Sequence, residues 1–185
     1  MRERALSRYI ALIRGINVGR AKRISMSDLK ALFSALGHEN VRTLLNSGNV
    51  LFHAPRQASG KLSAAIESAI FAHCGVSAST IVIDANDFSK IIDENPLLHV
   101  AIDHSRHLIA FVANPKLLTS LNPLLKQSWA PDMLAISARA AYLWCEAGVL
   151  DSKLSQAFGR KAKEGITTRN WATVLKLQAA LNADA

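Results

Sequence analysis

The chain has 185 residues, half of them apolar, with 22 lysines and arginines against 14 acidic residues and a net charge of +8. That length holds one domain or two small ones with a proper core. The two cysteines, Cys74 and Cys145, argue against a disulfide framework and have no metal-ligand spacing. Arg2, Glu3 and Arg4 ahead of a short apolar run argue against a secretory signal, and no run approaches the roughly 20 apolar residues that span a bilayer. A cytoplasmic protein without membrane association is expected. The basic surplus suits nucleic acid or a phosphorylated small molecule, the alternative being a merely solvated basic surface.

Residues 7–13 read as a buried strand, β-branched and aromatic at the centre. A basic loop follows, Arg14-Gly15-Ile16-Asn17-Val18-Gly19-Arg20-Ala21-Lys22-Arg23. Met26, Leu29, Leu32, Phe33 and Leu36 then share one helical face, with Ser25 or Ser27 as cap and Gly37 at the far end. Residues 41–45 and 50–52 are strands joined by the turn Asn46-Ser47-Gly48-Asn49, whose residue types tolerate positive φ. Leu62, Ile66, Ala69 and Ile70 mark a second helix closed by Gly75, and residues 80–83 a fourth strand. This β-α-β-β-α-β order is that of the ferredoxin-like unit, whose helices cover one sheet face and leave the other for solvent or a partner. A short helix over 87–93, capped by Asn86, ends before Pro96, which sets the expected division into subdomains 1–95 and 96–185.

In the second half, residues 107–112 read as a strand and Asn114-Pro115 as the start of a helix limited by Pro123. Two strands over 133–137 and 140–145, a helix over 152–160 and a last helix capped by Thr168 follow. This half reads as a degenerate copy of the first, with a helix in place of its last strand. The expected fold class is α+β, with two ferredoxin-like subdomains whose antiparallel sheets are covered by helices.

Three motifs in order, Arg14-Gly15-Ile16-Asn17-Val18-Gly19 with Met26 and Leu29, then Thr43 leading to Ser47-Gly48-Asn49-Val50, then Thr167-Thr168-Arg169-Asn170-Trp171 with Thr173, resemble the bacterial family of domain of unknown function 1697. The resemblance runs from about Arg8 to Leu177. It implies a two-part α+β fold with ferredoxin-like subdomains and no established activity. The stretch between Gly19 and Met26 is more basic than the family pattern implies.

The candidate anion-binding residues come from three polar segments. Arg14, Gly15, Asn17 and Gly19 lie at a strand-to-helix turn, where backbone N–H groups, a helix N-terminus and cations meet. The spacing is neither a P-loop nor a dinucleotide fingerprint, and no cofactor is expected. Ser47 and Asn49 occupy the hairpin turn, where backbone demands alone account for such residues. Thr168, Arg169 and Asn170 stand at a helix start, where an arginine in the first turn opposes the dipole unless it meets an acid or a bound anion. Each segment also has a purely structural reading: a tight connection, a hairpin turn and an internal salt bridge. Trp171 keeps helical register with Val174 and Leu175 and reads as core. Asp103, His104 and His107 read as a solvated strand entry, and no metal set is expected. Ser47 has no assigned histidine and acid, and no general base is evident, so no reaction is named. The functional expectation is an anion-binding module for nucleic acid or a phosphorylated ligand. The alternatives are an enzyme or sensor acting on a small phosphorylated metabolite or nucleotide in the cleft between the subdomains, and a protein-interaction module.

Overall fold

A computed structural model describes residues 5–17, 23–162 and 164–183. The chain divides into two compact units after Phe88, the second being residues 89–183. The first unit opens with β1 (Leu6–Arg14), followed by α1 (Met26–Ala35), β2 (Glu39–Leu44), β3 (Asn49–Pro55), α2 (Ser59–Cys74) and β4 (Ser79–Asp84). The strands form one antiparallel sheet in the order β2-β3-β1-β4. α3 (Ala85–Asp93) carries the chain across the division.

The local signals account for the helix boundaries. Ser25 caps α1, its hydroxyl accepting from the Asp28 N–H at 3.0 Å, a contact of the kind that is worth about 1 kcal/mol. Gly37 and Gly75, at φ +79° and +66°, end α1 and α2 in the left-handed region that costs glycine least. Asn86 is not the cap of α3. The helix already includes it, and the Asp84 carboxylate accepts from the Asn86 N–H at 2.9 Å.

Leu29, Phe33, Leu62, Ile66 and Ile70 pack on Tyr9, Ala11, Ile13, Val50 and Phe52, forming one core between the helices and the sheet. Of the two expected states of the opposite sheet face, open to solvent or covered, the structure shows a buried one. Ile10 and Leu12 are fully buried, and Leu51 and Ile81 nearly so. These residues alternate with the helix-facing set, as period-2 strand geometry requires, so the sheet is apolar on both faces.

The second unit repeats the order of elements. β5 (His107–Val112) leads to a 3-10 helix (Pro115–Leu121) and one α-turn, α4 (Asn122–Leu125). Then come β6 (Met133–Ile136), β7 (Ala140–Trp144), α5 (Lys153–Lys161), β8 (Ile166–Asn170) and α6 (Trp171–Asn182). The sheet order is β6-β7-β5-β8, all antiparallel. The last strand is therefore present, not replaced by a helix. The β-branched run Ile166-Thr167-Thr168 pairs with β5, Thr168 opposite Ala110, where branched side chains fit the pleat. Thr168 consequently caps nothing, and the N-cap of α6 is Asn170, whose Oδ1 accepts from the Thr173 N–H at 2.9 Å. Asn114 does cap, receiving the Lys116 N–H at 2.9 Å, but it starts a 3-10 helix. Among the described residues no helix is long and apolar enough to cross a membrane.

Gly48 shows how tightly the hairpin turn meets the end of β1. Its carbonyl accepts from the Ile13 N–H at 2.8 Å, its φ is +71°, and a Cβ placed there would lie 2.8 Å from the Ile13 carbonyl oxygen. Gly48→Ala therefore meets both backbone strain and a clash with main chain. It is expected to lower the unfolding free energy by about 2 kcal/mol or more, read from the denaturant midpoint. A midpoint equal to wild type would mean that this approach is not tight.

Candidate functional site

The loop leaving β1 and the hairpin turn between β2 and β3 come together at one end of the first sheet. Asn17, at φ +58°, joins them. Its Nδ2 donates to the Asn46 carbonyl at 3.3 Å, and its Oδ1 accepts from the Ile24 N–H at 3.0 Å. One short amide thus ties the loop's beginning to its end, next to the Ser25 cap, and to the turn. Asn and Gly are the residues that adopt such left-handed geometry most readily, and Gly15 precedes it at φ +88°.

Asn17, Arg23, Ile24, Ser25, Met26 and Asn46 line a pocket of about 470 Å³ at the N-terminus of α1. Arg23 is exposed, as is Arg14 at the end of β1, opposite Ser79 of β4. The helix end itself is already answered by an acid. The Ser25 hydroxyl donates to the Asp28 carboxylate at 2.6 Å and lies 2.8 Å from the Ser27 hydroxyl. Asp28 offsets the positive end of the helix dipole, so attraction for an anion must come mainly from the arginines.

The other sequence candidates separate into distinct roles. Asn49 is fully buried, its Nδ2 donating to the Leu44 carbonyl at 3.1 Å and to the Ser47 hydroxyl at 2.8 Å. It holds the hairpin turn from within. Gly19, Arg20, Lys22 and Lys163 lie outside the described residues. Thr168, Arg169 and Asn170 belong to the second unit. Arg169 precedes the cap of α6, so the supposed opposition between a first-turn arginine and the helix dipole does not arise. Its guanidinium donates to the Thr167 hydroxyl at 3.2 Å and the Thr168 carbonyl at 2.9 Å. Burial pulls its pKa down to about 10, which leaves it charged at neutral pH.

Arg23 and Asn46 line the pocket although neither is among the residues expected to bind an anion, and both sit inside the basic loop and the hairpin turn of the sequence. Leu45 gave no signal. It stands in the turn at φ +58° and is 45% exposed, a conformation that costs a leucine roughly 1–2 kcal/mol.

His107 is a correction. It is no solvated strand entry but a fully buried side chain. Its ring stacks on Trp171 with centroids 5.3 Å apart, and its Nε2 lies 3.3 Å from the Asn95 amide nitrogen. That amide donates, because the Asn95 Oδ1 accepts from the Leu97 N–H at 3.1 Å. The ring proton therefore sits on Nδ1, which has no hydrogen-bond partner among the described residues. Burial first, and the charge of His104 second, pull the pKa of His107 down to about 4. Trp171, 5% exposed, is core as expected.

Two α+β units, each with a four-stranded antiparallel sheet and a covering helical layer, define the class of protein. The chain belongs to the DUF1697 family, described as a protein of unknown function, whose model matches residues 6–142. It is also similar in structure to a conserved bacterial protein from Streptococcus pneumoniae. That likeness has a TM-score of 0.77 and 23% sequence identity, and it covers 95% of this chain and 98% of the other. At that identity the likeness concerns the fold. No curated protein matches the chain.

Two measurements check these assignments. His107 is neutral in the fold and titrates near 6.5 when unfolded, so only the unfolded state takes up the proton between those values. Stability should fall as pH drops from about 6.5 to about 4, by on the order of 3 kcal/mol from this residue. His107→Phe should flatten that part of the unfolding profile, leaving the smaller slope from His38, whose pKa burial also lowers. An unchanged slope would refute the assignment. Leu45→Asn should raise the melting temperature by relieving left-handed strain of about 1 kcal/mol, whereas a lower melting temperature would mean the side chain packs more than its exposure indicates.

Proposed function

We propose that both units are of the ferredoxin-like type and that the protein is a cytoplasmic anion-binding module, with a phosphorylated small molecule held in the pocket of the first unit. The β-α-β-β-α-β order and the β2-β3-β1-β4 arrangement, repeated as β6-β7-β5-β8, support the fold reading. Two thiols outside any disulfide suit a reducing compartment.

The observation that carries the binding reading is the pocket itself. It joins the exposed cation of Arg23 to the amides of Asn17 and Asn46 and the hydroxyl of Ser25. Arginine suits phosphate because its planar fork donates in pairs. The strand aromatics of both units favour a small ligand over base reading. Tyr9, Phe52, Phe111, Tyr142 and Trp144 are all buried, so none forms a stacking platform for bases. The described lining contains no histidine or acid to serve as a general base, which favours binding over catalysis.

The test is thermal melting against inorganic phosphate, nucleoside phosphates, sugar phosphates and single-stranded DNA and RNA, at low and moderate salt. A ligand specific to the folded state stabilises by about 2.7 kcal/mol at a hundred times its Kd. One small phosphorylated compound should raise the melting temperature. Arg23→Ala should abolish that rise and Arg14→Ala weaken it, while Arg56→Ala, at an exposed position on another surface, should leave it intact. A flat panel, or a shift indifferent to Arg23→Ala, would defeat the proposal.

A further inference from the structure

The helical layers that cover the two sheets differ in charge. In the first unit, α1 carries Asp28 and Lys30, and α2 carries Lys61 and Glu67, so each cation has an acid to match. In the second unit, the 3-10 helix carries Lys116, α4 is followed directly by Lys126, and α5 carries Lys153, Arg160 and Lys161. These segments contain no acid, although Asp151 and Glu164 flank α5 in sequence.

The five cations stand on or beside the segments of one covering layer. Leu118, Leu121 and Leu124 from the first segments, with Leu154, Ala157 and Phe158 from α5, form a single core against Ala110, Ala141 and Leu143 of the sheet. Both segments turn their apolar residues to the same sheet face, so Lys153 and Arg160 lie on the outer side of α5, while Lys161, in line with Leu154, is exposed at the helix end. All five side chains are exposed, and among the described residues none is in an ion pair. Gathering like charges without acids costs the folded state through self-repulsion, a cost that a polyanion would offset.

We infer that this layer is a docking surface for the phosphate backbone of nucleic acid, separate from the small-ligand pocket. The extent of the charge argues for a polymer. From Lys153 to Lys161 the helix rises about 12 Å, the axial length of roughly three to four base-pair steps of a duplex at about 3.4 Å each. A single phosphate monoester spans far less. Exposed Thr119, Asn122, Gln127 and Gln156 lie on the same segments or beside them, as donors for phosphate oxygens. Contact of this kind reads no sequence, in keeping with the burial of every strand aromatic.

The experiment is fluorescence anisotropy with a labelled single-stranded 30-mer, DNA and RNA in turn, across a salt series. Three to five phosphate contacts give a slope of log K against log salt of about −2 to −3.5 for a single strand, a loss of about 15- to 130-fold between 50 and 200 mM. The combined replacement Lys116→Gln, Lys126→Gln, Lys153→Gln, Arg160→Gln and Lys161→Gln should remove binding and the slope. A second variant with only the α5 changes should lose part of both, and each variant should melt no lower than wild type. Lys30→Gln with Lys61→Gln, on the balanced layer, should leave binding unchanged. Arg23→Ala should also leave it unchanged, so this surface and the pocket fail separately. Absent binding at 50 mM salt, or binding that survives the fivefold replacement, would overturn the inference. So would loss of binding on Arg23→Ala alone, or sedimentation with phosphatidylserine vesicles in place of nucleic acid, an outcome to which the exposed Leu125 beside Lys126 would contribute.

Discussion

β1 runs between β3 and β4 with Tyr9, Ala11 and Ile13 buried on one face and Ile10 and Leu12 buried on the other. A strand without a wet face has no room for a polar side chain along its centre, since each would need a buried partner. Polar chemistry is therefore displaced to its ends. At the carboxyl end the chain turns through Gly15 and Asn17, and Asn17 closes the loop by binding Ile24 and Asn46. Gly48 presses its backbone against Ile13 in the same place. The pocket of the first unit follows from these contacts, because the loop and the hairpin turn are held together by main-chain and amide hydrogen bonds.

The same constraint divides the polar residues by role. Asn17, Asn49 and Asn170 each spend their amide on backbone groups, leaving the arginines to carry most of the attraction for an anion. Asp28 reinforces that division by occupying the first turn of α1. Net charge is unevenly shared as well. The covering layer of the first unit balances its charges within α1 and α2, whereas that of the second gathers Lys116, Lys126, Lys153, Arg160 and Lys161. Long-range attraction for polyanions is a property of such a distribution and not of the fold.

Much of the fold was legible because hydrophobic period and punctuation agreed. The strand over 107–112 coincides with β5, and Ser25, Gly37 and Gly75 mark helix ends as their chemistry demands. β8 was missed because a threonine before a polar pair satisfies a capping pattern as well as a strand pattern. Only pairing with β5 distinguishes the two, and that pairing is more than fifty residues away in sequence. His107 was misread for a similar reason. Asp103 and His104 beside it are polar neighbours in sequence, while Trp171 and Asn95, which enclose it, are not.

By itself the sequence determined the β-α-β-β-α-β order of the first unit, the ends of α1 and α2, the basic surplus and the apolar identity of β1, all of which rest on local spacing and residue type. Tertiary structure decided that the β1 loop and the hairpin turn share one pocket, that Arg169 stands in a strand and not in a helix's first turn, that the sheet face opposite the helices is buried, and that five cations share one layer. Each of those depends on which distant segments pair or pack together. Such long-range choices are set by burial of complementary apolar faces, and a linear pattern of residues does not specify the partner.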